Sequence, residues 1–126
     1  MKQISTKHLK FAHNAWMRGL GFYELELNFL RERLEEVAGG NTGREVGENV
    51  EHFQNQLIIH RDYLDGLKHR IRGNQGVLEN EISASPEFID DRELTVYNQL
   101  SDDYVTEEKM INELRHEFNH FAAKWL

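Results

Sequence analysis

Seven histidines and 22 acidic residues in a chain of 126 leave two kinds of chemistry to consider, acid–base exchange and divalent-metal ligation. Three of these groups, His13, His60 and Glu107, stand where the surrounding pattern asks for apolar side chains. A carboxylate in a helical core is costly unless paired or neutralised, so Glu107 needs a partner. If the chain turns near Asn41 and Pro86, His60 and Tyr23 fall close to its level, which predicts a buried polar layer of His13, His60, Glu107 and Tyr23. Such a layer fixes the register of packed helices, as a buried Asn does in coiled coils. Buried neutral histidines would also make the fold lose stability as acid protonates them. The same inward groups, with Glu24 or Glu108 added, give the alternative expectation of a site for a divalent transition metal.

A second constellation is Glu113-x-x-His116-x-x-x-His120, which sets one carboxylate and two imidazoles on one side of a helix. Histidines at i and i+4 can chelate an ion, but this side points away from the apolar positions and reads more simply as a solvated face. Other catalytic devices are missing from the sequence. Without cysteine there is no thiolate nucleophile and no Cys-type metal site. Neither a G-x-S-x-G elbow nor a phosphate-binding glycine loop occurs, so the chain reads as a non-enzyme without a cofactor.

The net charge of −7 argues against nucleic acid, whose binders need a phosphate-matching basic face. The one dense basic stretch, Lys68-His69-Arg70-Ile71-Arg72, is followed by Gly73 and reads as cations over the last carbonyls of a helix. No window is apolar enough to span a membrane, and the first residues carry no secretory signal, which points to a soluble cytoplasmic protein.

The elements that must position these residues follow from periodicity. Leu9, His13, Trp16, Leu20, Tyr23, Leu27, Leu30, Leu34 and Val37 fall at alternating steps of four and three. Val46 to Ile71 repeat this rhythm through Phe53, Leu57, His60, Leu64 and Leu67, and Tyr97 to Trp125 do so through Leu100, Glu107, Ile111 and Phe118. Three such stripes predict long helices, about residues 7–38, 43–72 and 90–125, with a further short helix near 77–83. Gly39-Gly40-Asn41 ends the first. Thr42 with Glu45 reads as a capping box, and Ser85-Pro86-Glu87 and Asp90-Asp91-Arg92-Glu93 compete to start the third. Short connections make this a single domain, an antiparallel up-down-up bundle of coiled-coil-like helices.

Two metal-binding families bear comparison. Ferritin-like di-iron proteins carry inward Glu-x-x-His motifs on separate helices, whereas Glu113-x-x-His116 and Glu117-x-x-His120 overlap on one. Hemerythrin-like proteins resemble the chain in size, histidine count and His116-x-x-x-His120, but a clear fourth helix is lacking. The layout is also similar to a spectrin-type repeat, in geometry alone.

The first helix carries one stripe too many. Phe11, Ala15, Phe22, Leu25 and Phe29 keep the same rhythm on the side opposite the first stripe, interrupted by Arg18. A patch of this kind along about 27 Å is large for a monomer, which predicts self-association, most simply as a two-fold homodimer. The competing expectation folds segment 73–89 back over this face with Leu78, Ile82, Phe88 and Ile89.

Overall fold

A computed structural model of the chain describes residues 6–84 and 89–125, the side chains of 83 and 84 excepted. They form three helices, α1 (Thr6–Gly40), α2 (Arg44–Ala84) and α3 (Asp91–Trp125), of 35, 41 and 35 residues. Among the described residues there is no strand. The chain is an all-α three-helix bundle.

Each helix buries its four-three stripe. On α1 the nine stripe residues from Leu9 to Val37 are all buried, each removing apolar surface from water worth about 1.5–3 kcal/mol for a leucine. Side-chain pairings fix the directions. His13 meets Asn74 and Lys68 meets Glu24, so α2 runs against α1. His60 meets Glu107 and Arg70 meets Asp103, so α3 runs against α2. Tyr23 meets Glu108 and Glu26 meets Arg115, so α3 is parallel to α1. At one end Phe53, Phe118 and Phe121 pack with ring centroids 5.1–6.2 Å apart. Toward the other, Trp16 lies between Tyr97 at 5.1 Å and Tyr104 at 6.3 Å.

The helix ends hold two corrections. α2 does not stop at Gly73, and there is no separate helix near 77–83: both belong to one helix reaching Ala84. The buried stripe continues past Ile71 through Asn74 and Leu78, and this tertiary burial overrides the stop signal of Arg70, Arg72 and Gly73. The expected Thr42–Glu45 capping box is replaced by Gly43, whose carbonyl accepts the Gly47 N–H at 3.0 Å. Asn41 closes the first turn instead, donating to the carbonyls of Val37 at 3.0 Å and Trp125 at 3.2 Å. At the start of α3, the Asp90 carboxylate accepts the Arg92 N–H at 2.9 Å, and its carbonyl accepts those of Glu93 and Leu94. The rival start at Ser85-Pro86-Glu87 lies outside the described residues, as does Phe88.

Candidate functional site

Two polar layers cross the core, and an apolar face covers the outside of α1. The first layer is the one the sequence predicts most directly. His60 Nδ1 donates to both Glu107 oxygens, at 2.8 and 3.1 Å, with the two side chains 5% and 3% exposed. Leu57 and Leu64 on α2 and Ile111 and Leu114 on α3, all buried, flank the pair along its own helices. Tyr23 is not part of it. Its hydroxyl donates to Glu108 Oε2 at 2.9 Å, one residue along α3 and at the edge of the core. Burial first, then the hydrogen bond and charge of Glu108, hold the Tyr23 phenol above its ordinary range. Tyr104, beside the same carboxylate, is pushed up to about 12, again chiefly by burial.

The second layer is carried by a residue that the sequence reading does not single out. His13 Nε2 donates to Asn74 Oδ1 at 2.9 Å. The Asn74 amide in turn donates to the Glu93 carbonyl at 3.3 Å and to Glu93 Oε2 at 3.2 Å. One hydrogen-bonded relay therefore joins α1, α2 and α3. The His13 ring also meets Trp16 and Tyr97 edge-on, each at 5.6 Å. The signal for Asn74 is present in the sequence, since it follows Ile71 by three and precedes Leu78 by four.

The candidate metal ligands are dispersed. Glu24 pairs with Lys68 rather than with His60 or Glu107. Glu113, His116 and His120 stand exposed on α3. Among the described residues no group of three or more His, Asp or Glu is arranged to hold a metal ion, and His60 with Glu107 makes two. Every buried side-chain nitrogen and oxygen among them has a hydrogen-bond partner, so the layers hold helices together.

The outer face of α1 lies open. Phe11, Phe22, Leu25 and Phe29 are 66%, 54%, 70% and 57% exposed, while Ala15 is half-buried. Segment 73–84 continues α2, and Leu78 and Ile89 are buried in the core, so these residues do not cover that face. No known protein family, curated protein or solved structure matches the chain. Its site must be read from geometry alone.

Two glycines in the middle of this stretch differ in their surroundings. A Cβ on Gly19 would fall 1.9 Å from the Tyr104 hydroxyl, so Gly19 is the notch that admits the α3 ring. Gly21 has nothing within 4 Å and opens outward beside Phe22. Between α1 and α2 runs an open groove of about 380 Å³, floored by Leu27, Leu34 and Leu57 and rimmed by Arg31 and Arg61. No helix of the described residues is long and apolar enough to cross a membrane.

Proposed function

We propose that this protein is a non-catalytic helical-bundle scaffold or adaptor that self-associates, in the simplest form as a homodimer, through the outer face of α1. The observation that carries this reading is the exposure of Phe11, Phe22, Leu25 and Phe29 together on one side of one helix. Scattered exposed hydrophobes are ordinary, but three phenylalanines and a leucine aligned on one face, broken by the single charge of Arg18, is the composition of an interface. The two polar layers fit a structural role, since His60 with Glu107 and His13 with Asn74 join helices to one another across the core.

Light scattering on the untagged protein is the test, compared with the double variant Phe22→Glu, Phe29→Glu. The wild type should have the mass of an oligomer and the variant that of a monomer with unchanged helical circular dichroism. A monomeric wild type, or a variant equally oligomeric, overturns the proposal.

A further inference from the structure

Resting on that reading, we infer that the partner is a second copy of this chain with its α1 antiparallel, crossed by a two-fold axis between Gly19 and Gly21. The outer face of α1 is complementary to its own reverse about this point. Reversing the helix and setting residue 20 on residue 20 brings Phe11 opposite Phe29 and Ala15 opposite Leu25. Arg18, the one charge that interrupts the row, comes opposite Phe22, where a guanidinium can lie over the ring.

The flanks obey the same symmetry. Beyond the row, exposed His8 faces exposed Glu32. Along the side of α1 nearer α2, Lys7 faces Glu35, Asn14 faces Asn28, and Gly21 faces its own copy. Gly21 has open space where a Cβ would stand, which lets two backbones come closest at the axis. By contrast Glu26, on the other flank, is held by Arg115 of its own chain at 3.4 Å.

Other arrangements lose these matches. A parallel pair sets Arg18 on Arg18 and Glu32 on Glu32, with the two helix dipoles aligned. Sliding the antiparallel pair by seven residues puts Phe11 on Glu36 in one direction and Leu25 on His8 in the other. Only the register centred on residue 20 opposes Phe11 to Phe29 and Ala15 to Leu25, gives Arg18 an aromatic ring to lie on, and brings Lys7 to Glu35 at both ends.

Because the chain has no cysteine, single cysteines report this register without background. Arg18→Cys and Phe22→Cys are to be mixed, allowed to exchange subunits, and oxidised. The mixture should form an 18–22 cross-linked dimer, and each variant alone should cross-link weakly. Self-cross-linking of Phe22→Cys at equal efficiency would overturn the antiparallel register.

A second measurement avoids touching the row. Lys7→Glu and Glu35→Lys should each weaken the dimer by about three- to ten-fold, since each occurs twice per dimer, and the double variant should recover wild-type affinity. Absence of recovery overturns the register. Light scattering on the wild type separates the two claims. A wild-type dimer lacking these signatures removes the register and leaves self-association standing, whereas a wild-type monomer removes both.

Discussion

The two polar layers of the core solve one problem in different ways. The His60–Glu107 layer is a compact pair joining α2 to α3, with both oxygens of one carboxylate turned to one imidazole nitrogen. The His13–Asn74–Glu93 layer is a relay in which a neutral amide both accepts and donates, and it ties all three helices. The pair concentrates its cost in two groups that are poorly tolerated when separated. The relay distributes it, and its last partner, Glu93, is half-buried. The difference predicts where the bundle is intolerant and where it is adaptable.

Breaking the pair should have the largest effect. Glu107→Ala leaves the His60 imidazole buried without a partner and should cost about 3–5 kcal/mol in urea unfolding. Replacing both residues, His60→Leu with Glu107→Leu, should restore most of that loss, because desolvation is then removed together with attraction. A loss below about 1 kcal/mol in the single variant would show that the pair contributes as little as a surface ion pair.

The relay should yield less. Asn74→Leu removes the acceptor for His13 and the donor to Glu93, and about 1–3 kcal/mol is the expected loss in the same measurement. Equality with Glu107→Ala would erase the contrast between the layers. The Trp16–Tyr97–Tyr104 stack spaces the layers along the bundle. Gly19→Ala pushes a methyl into the Tyr104 hydroxyl, which costs about 1–3 kcal/mol as overpacking, offset by about 1 kcal/mol of helix propensity. The net change in thermal unfolding should thus be a loss of no more than about 2 kcal/mol.

Alkaline pH should produce the smallest and most selective effect. Tyr104 titrates at about 12 in the folded chain against 10.0 for an ordinary tyrosine, so its neutral form is favoured by folding. Its contribution is complete below pH 10 and is lost as pH rises towards 12. Tyr104→Phe should therefore flatten the decline of the unfolding midpoint between these values. Tyr97, beside His13, is raised by burial alone, and Tyr97→Phe should flatten it less.

Much of this architecture is legible from residue spacing, and the two layers show where legibility stops. His60 and Glu107 each interrupt a strict apolar rhythm, and the connections at Asn41 and before Asp90 set their levels, so their meeting is readable without coordinates. The rhythm identifies inward positions but not which neighbour a flanking group reaches. Tyr23 takes Glu108 rather than Glu107 because one step along α3 turns the side chain by about 100° towards α1. Asn74 escapes because a basic run ending in Gly73 imitates a helix terminus, while the burial that carries α2 through it is a property of the assembled bundle. Glu93 is similarly hidden, since its acidic neighbours at the start of α3 suggest only a cap. On the outside of α1 spacing alone identifies the apolar row, and Phe11, Phe22, Leu25 and Phe29 stand exposed among the described residues.

The continuation of α2 beyond Gly73 has a consequence for how the molecule breathes. Gly73 and Gly76 make no contact that would fill a missing side chain, and each weakens its helix by about 1 kcal/mol relative to alanine. The three turns from there to Ala84 are held chiefly by Asn74 and Leu78. Amide protons in this stretch should exchange through a partial unwinding that leaves the turns around His60 protected. Each such excursion would free the His13 ring from Asn74, so solvent would reach the core of the bundle first at this end.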